Sequence, residues 1–352
     1  MNLNVLRANN GDCIHLYFNT ENKSFNILID GGPGRTYQFK NKKKKQEAGD
    51  LKKFIENLKE TNQIIDLLIL THVDDDHIGG ILKWFEKDKE VANYIKKVWF
   101  NSGRLISEYF DKPVINENDI SLNPIDGYDT SIKQGATFEN FIEEKEIWDR
   151  RIIKASDEIE ECGATFTILS PSSERLEALL TKWKKEVPIT DTSAKNDYDL
   201  TIKEHIKNDS FTEDKSIHNG SSIAFLLEYD EKKLIFLGDA HPQVIVDSLR
   251  DLGYSKDAPL QVEFLKISHH GSKGNTSPEL LEIIDTNKFI ISSNGDKHQL
   301  PDKQCLSRII NHNNQAELFF NYPELIDKIF SEEDHSDFPD FKAVGLKNPI
   351  EL

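Results

Sequence analysis

The chain of 352 residues is poor in several things that define common protein classes. It has three cysteines, Cys13, Cys162 and Cys305, an odd and scattered set with no CxxC pair, which excludes a disulfide framework and a thiolate zinc site. Any metal must be held by histidine and carboxylate. Long hydrophobic runs are missing too. The longest apolar stretches, such as 64–70 and 222–227, have strand length, far below the roughly 20 residues of a membrane span, and no basic-then-apolar leader opens the chain. A cytoplasmic protein with no membrane contact is therefore expected. Positive charge is scarce as well: 44 basic residues stand against 61 acidic ones, a net charge of −17, which argues against a broad basic face for nucleic acid but leaves room for a local groove. No P-loop, GxGxxG or GxSxG is present, and Asp30-Gly31-Gly32-Pro33-Gly34 is a poor dinucleotide loop because Pro33 stiffens it and no helix is expected to open there.

What is present is enough for one large core or two modest ones, with 37% hydrophobic and 30% charged residues. The order of elements reads as α/β. Strands are expected over 4–7, 13–18 and 25–29, then a helix over 50–58 with Leu51, Phe54, Ile55 and Leu58 on one face. A buried-type strand over 64–70, a helix through Leu82, Trp84 and Phe85, and a strand over 98–101 follow. Two polar insertions, about 102–160 and 172–217, hold a charged helical pattern over 139–159 and a helix over 173–185. Around them lie strands at 164–169, 222–229, 234–237, 262–267 and 289–292, and helices at 244–252, 278–284 and 303–311. Without an internal repeat or clear linker, residues 1–352 read as one elaborated domain. More than half of the acid excess falls within 101–220, where 25 acidic residues face 15 basic ones. The run Lys42 to Lys45 reads first as a solvated loop and second as a phosphate-backbone contact.

Ionisable residues cluster where strands stop: Asp30, the segment His72 to His77, Asp239, and the pair His269 and His270. In α/β folds the carboxyl ends of strands face the site crevice, so these sets can converge there. In His72-x-Asp74-x-Asp76-His77, alternation throws His72, Asp74 and Asp76 to one side and His77 opens a helix, an arrangement that can serve two adjacent cations. Gly79 and Gly80 would let the chain turn closely beneath. The competing reading is a surface acidic loop with an aspartate as helix N-cap.

The segment Thr71 to Gly80, THVDDDHIGG, resembles the HxHxDH signature of the metallo-β-lactamase fold, in the HxDxDH form of the hydrolase domain of the ComEC competence proteins and their stand-alone relatives. Asn10-Gly11-Asp12 before a strand, Ile27 to Gly32, Ser222 to Ala240 ending in Gly238-Asp239-Ala240, and Leu265 to Ser272 resemble that group's other motifs in the same order. The resemblance implies a four-layer αββα sandwich carrying polar insertions. It also implies two divalent metal ions, Zn²⁺ or Mn²⁺ with Mg²⁺ as a further option, since Asp74 is a harder ligand than the more common histidine. By the same likeness His72 and Asp74 hold one ion, Asp76 and His77 the second, and Asp239 bridges them, with Asp30 orienting a ligand. His269 is favoured over His270 as the last ligand, and His218, 21 residues before Asp239, is the candidate for the third-motif histidine, against an exposed loop histidine.

Lys266 and Lys273 flank the histidine pair and could neutralise a phosphate, Lys266 alternatively being an edge-strand lysine. His298 sits where the group has its GHP segment and could donate a proton to a leaving oxygen, with Asp76 and Asp239 as the other catalytic candidates. The expected activity is hydrolysis by metal-activated water, foremost of a phosphodiester in a nucleic acid or nucleotide. A small ester, lactone or amide is the alternative substrate. The non-enzymatic alternative is a subunit whose acidic insertions bind a partner protein.

Overall fold

The computed structural model describes residues 1–20, 23–114, 131–183 and 195–352; parts of both insertions and the end of the helix expected over 173–185 lie outside these residues. Successive side chains of a strand point to opposite faces, and that alternation sorts the apolar strands into separate cores. Ile27, Ile29, Leu67 and Ile69 join a core between two sheets, whereas Leu28 and Leu68 turn to the helices outside. On the other sheet, Phe225, Leu227 and Phe236 face the inter-sheet core, and Leu226, Ile235 and Leu265 face Ile245, Leu249 and Ile309 of a second helical layer. Three apolar interfaces thus stack four layers, and the αββα sandwich expected from the motifs is the observed fold.

Among the described residues, the first large sheet has six strands in the order Ile350–Glu351, Asn2–Val5, Ile14–Asn19, Ser24–Ile29, Leu67–Ile69 and Val98–Trp99. The last three run parallel. The second sheet has eight, ordered Lys342–Gly345, Glu317–Phe320, Lys288–Ile291, Phe264–Lys266, Lys232–Phe236, Ala224–Tyr229, Ala164–Ser170 and Glu158–Glu161. Helices Asp50–Glu60, Asp75–Lys87 and Ser131–Glu144 cover the first sheet, and Pro242–Asp251, Pro278–Ile283 and Lys303–His312 cover the second. All three cysteines are buried thiols. Among the described residues no helix is long and apolar enough to cross a membrane.

Some expectations need correction. The charged pattern over 139–159 is not one helix: the helix ends at Glu144, and Glu158–Glu161 pairs with Ala164–Ser170 as a hairpin. Cys162 and Gly163, both at positive φ, make the two-residue turn that selects the hairpin. A short helix, Gly34–Tyr37, does open after Pro33. The stretch beyond 312 supplies two strands to the second sheet, and the buried pair Lys303 Nζ to Asp334 Oδ2, 2.6 Å, ties it down.

Gly79 and Gly80 lie within the helix Asp75–Lys87, so the chain does not turn there. Their role is close approach. A Cβ on Gly80 would stand 2.0 Å from the Gly31 carbonyl oxygen, and a Cβ on Gly11 would stand 1.9 Å from that of Asp76. The loop after Ser24–Ile29 is thereby held against the start of the helix, with Gly31 N bonded to His77 O at 2.8 Å and Gly80 N to Gly32 O at 2.7 Å. Gly80→Ala should therefore cost about 1–3 kcal/mol, the usual range for overpacking against backbone that cannot yield. Urea denaturation checks this, and unchanged stability would contradict the close-approach account.

Candidate metal centre

Three strand ends and one helix start meet at one place. His72 follows Leu67–Ile69; Asp76 and His77 sit in the first turn of Asp75–Lys87; Asp239 follows Lys232–Phe236; and His269 and His270 follow Phe264–Lys266. His77 Nε2 lies 3.4 Å from Asp239 Oδ1, and His72 Nε2 lies 3.6 Å from Asp239 Oδ2 and 3.7 Å from Asp74 Oδ2. His270 Nε2 is 3.8 Å from Asp239 Oδ1 and 3.9 Å from Asp76 Oδ2. These gaps are too wide for hydrogen bonds. They match the spacing of two ligands on one ion, about 3.4 Å for tetrahedral bonds of about 2.1 Å. Two candidate ligand groups result, His72 with His77 and Asp239, and Asp76 with His77 and His270. A third, Asp12 with Asp30 and His77, lies on the Nδ1 side of the His77 ring, where Nδ1 is already bonded to Asp30 and Asp12 to Lys266.

The hydrogen bonds behind the rings decide what faces the centre. His77 Nδ1 lies 2.7 Å from Asp30 Oδ2, and His270 Nδ1 lies 3.0 Å from the Ser292 carbonyl oxygen. Both partners only accept, so Nδ1 carries a proton and Nε2 is the atom each ring turns to the centre, free to bind a cation once it gives up any proton of its own. Thr71 Oγ1 gives its proton to Asp30 Oδ2 at 2.7 Å, so it accepts from His72 Nδ1 at 3.1 Å. His72 is thereby set in the same tautomer. Among the described residues, Nε2 of all three rings and Oδ1 of Asp239 are buried with no hydrogen-bond partner. Buried imidazole and carboxylate atoms left bare cost about 1–3 kcal/mol each, and a shared cation removes that cost. The donor set, imidazole nitrogen and carboxylate oxygen without thiolate, fits a divalent ion of the zinc or manganese type.

Electrostatics agree with the geometry. Burial would raise the Asp239 carboxyl, but His77, His269 and His270 around it hold it well below the usual carboxylate range. Burial would depress His77, and the Asp239 and Asp30 carboxylates overcome that and lift it well above its usual value. His72 is pushed down, first by burial and then by its neighbour His77.

The structure brings Asp30, His72, Asp74, Asp76, His77, His218, Asp239, His269 and His270 together. Asp74 occupies the N-cap position of its helix but makes no capping bond; its Oδ1 takes a 2.7 Å hydrogen bond from His218 Nδ1. The loop-histidine reading of His218 is thus replaced by a buried contact with the cluster. His270, not His269, belongs to the group with Asp76 and His77. Both residues have positive φ, a left-handed turn that sends His270 inward and leaves the His269 side chain 25% exposed, its Nε2 3.8 Å from Asp239 Oδ2. Lys266 is neither an edge lysine nor available to a phosphate. Its strand is central, and its amine is 1% exposed and bonded to Asp12 Oδ2 at 2.7 Å and Ile267 O at 2.9 Å. Lys273 is exposed, 4.0 Å from Asp302. His298 is exposed on the loop 294–299 at positive φ.

Several contributors escape sequence reasoning. Asp12 accepts from Lys266 and from the Ser292 hydroxyl beneath His270. Asn10 Nδ2 reaches Asp76 Oδ2 at 3.0 Å. Asp214, from the second insertion, accepts from Asn219 and Asn275, which both flank His269 Nδ1. The Asn10-Gly11-Asp12 turn was a usable signal for the first two; nothing local marks Asp214.

Residues 13–143, which include Asp30 and the whole His72 to His77 segment, match the family model of the metallo-beta-lactamase superfamily. The chain has the fold of that superfamily, and Asp239, His269 and His270 reach the same centre from beyond the matched residues. The metallo-beta-lactamase fold protein YhfI from Bacillus subtilis is 12% identical, with 99% of this chain and 97% of that one covered at a TM-score of 0.40. Zinc-bound PqqB from Methylobacterium extorquens is 10% identical, with 97% and 87% covered at a TM-score of 0.39. Comparison with curated proteins finds no match.

The metal-free protein should show an inverted pH response. His77, raised in the fold above its usual 6.5, contributes stability that is full below about pH 6.5 and is lost as the pH climbs through the raised value. Asp239, lowered from 3.8, contributes stability above about pH 4 that is lost in acid. Chelator-treated protein should therefore melt highest at about pH 5–6 and progressively lower as the pH rises above 6.5 through the raised His77 value, with Zn²⁺ or Mn²⁺ restoring the alkaline end. Thermal melts across that range check it; an alkaline limb that neither falls nor responds to metal would contradict it.

Proposed function

We propose that the chain is a metal-dependent hydrolase that cleaves phosphodiesters of a nucleic acid or nucleotide at a two-metal centre. The observation that carries the hydrolase reading is the convergence of three buried imidazole Nε2 atoms on the Asp239 carboxylate, those of His77 and His270 on Oδ1 and that of His72 on Oδ2. His72, Asp74 and His218 would hold one ion, Asp76, His77 and His270 the other, and Asp239 lies between the two sets. Bound divalent ions supply an activated water and polarise the attacked centre. The chain's own part is orientation. Asp30 and the Ser292 carbonyl hold protons on Nδ1 of His77 and His270, so neither ring can rotate away without stranding a buried partner. Asp239 and Asp76 present carboxylate oxygens that can take a proton from the attacking water, and His269, on the open side, can meet the leaving oxygen.

The phosphodiester reading is supported by the likeness of THVDDDHIGG to the HxDxDH form of the ComEC group and by the oxygen-rich donor set, which suits Mn²⁺ or Mg²⁺ as well as Zn²⁺. One observation favours a small ester, lactone or amide instead: the buried lysine nearest the centre, Lys266, is taken by Asp12 and offers no charge to a phosphoryl oxygen. Bis-p-nitrophenyl phosphate separates the readings. With Mn²⁺ the wild type should turn it over, and Asp239→Asn should lose about a hundredfold or more in kcat. Turnover of p-nitrophenyl acetate or a lactone with the diester untouched would install the second reading.

A further inference from the structure

Charge is distributed against the overall trend at one place. Residues 35–53 carry eight basic and two acidic side chains in a protein of net charge −17. Strands Gln38–Lys40 and Gln46–Ala48 form a hairpin apart from the two large sheets, and its tip carries Lys42 to Lys45, all exposed. The tip is internally braced: Asn41 Oδ1 accepts from the backbone N–H groups of Lys43 and Lys45, and Asn41 Nδ2 donates to Glu47 Oε1 at 2.6 Å. Nearby acids are already engaged. Asp50 pairs with Lys53 at 2.9 Å and Glu324 with Arg7 at 3.4 Å. Among the described residues no ion pair involves Arg35, Lys40 or Lys42 to Lys45.

Beside the hairpin lies a pocket of about 460 Å³ lined by the cations Arg7, Arg35 and Lys53, the acids Glu47 and Asp50, and the rings of Phe39 and Tyr322. It combines cations with aromatic faces, and the Arg7 guanidinium stands over the Tyr322 ring at 5.0 Å. Two of its lining residues lie close along the chain to residues beside Asp76. Asn9 precedes Asn10, whose side chain bonds Asp76 at 3.0 Å, and Arg35 follows Pro33, which crowds the Gly11 position beneath Asp76. The unpaired cations Arg35, Lys40 and Lys42 to Lys45, beside the Phe39 and Tyr322 rings, match the chemistry of a flexible phosphodiester strand, whose phosphates need charge and whose bases stack without regard to sequence. A rigid duplex would need a long basic track, which the rest of this acidic chain does not provide.

We propose that the hairpin 38–48 is an arm that grips the backbone of a single-stranded nucleic acid and leads it across the Arg7, Arg35 and Tyr322 pocket to the metal centre. This rests on the phosphodiester reading above and names its substrate class. The test is anisotropy of a fluorescein-labelled single-stranded DNA of about 20 nucleotides, titrated with full-length protein at several salt concentrations. The variant Lys42→Ser, Lys43→Ser, Lys44→Asn, Lys45→Ser should raise Kd about tenfold or more and flatten the salt dependence, by about 0.7 in log–log slope per lost phosphate contact. Arg35→Gln should weaken binding in the same direction. A charge-matched control, Lys89→Ser, Lys96→Ser, Lys207→Ser, Lys347→Ser, should stay within about twofold of wild type. No saturable binding by wild type, or equal weakening by the hairpin and control variants, overturns the proposal. Binding is read without turnover, so a failure here leaves small-diester hydrolysis standing, and a failure of hydrolysis leaves this result standing.

Discussion

A buried carboxylate with no lysine or arginine paired to it among the described residues sets the terms for this molecule. Asp239 is 2% exposed, and the nearest buried cation, Lys266, is committed to Asp12. Around it stand imidazoles whose Nδ1 protons are engaged on the far side, at Asp30 and the Ser292 carbonyl, so that their bare nitrogens all face inward. A core designed only for stability would not leave an anion and several ring nitrogens unmatched in one place. A divalent cation would give the carboxylate and the inward-facing nitrogens a common partner.

The rest of the fold serves that convergence. Each half of the sandwich contributes through strands that stop at the same place: the first sheet brings Asp30 and His72 to His77, and the second brings Asp239 and His270. Glycine contacts hold the first half in register, since side chains at Gly11 and Gly80 would collide with backbone oxygens. The insertions are wired into the site as well. Gln134 bonds Asp75 at 2.8 Å beside the ligand turn, and Asp214 organises the amides around His269. They form part of the walls of the centre, which couples their sequence to the site's shape.

Much of this was legible in the sequence because the signals were local. Acids and histidines at the ends of apolar runs stand out, and His72 to His77, Asp239 and the histidine pair converge as their positions suggested. What was not legible depends on the third dimension. Whether Lys266 lies on an edge or central strand is set by strand order, and no local pattern reveals that Phe264–Lys266 has a neighbour on each side. The choice between His269 and His270 turns on two positive φ angles. The charged pattern over 139–159 is helical in composition throughout, yet the Cys162-Gly163 turn and pairing with Ala164–Ser170 claim its end for a strand. Asp12 and Ser292 resemble ordinary turn and strand-end residues until the fold sets them beneath His270.

The central claim is that the inward-facing nitrogens of His72, His77 and His270 exist to bind cations. The most direct measurement is X-ray diffraction from crystals grown with Zn²⁺ or Mn²⁺, recorded on both sides of the metal absorption edge. The account predicts anomalous peaks about 2 Å from these Nε2 atoms and from Asp239. Crystals in which water molecules alone hydrogen-bond those nitrogens, with no anomalous signal among them at saturating metal, would contradict it.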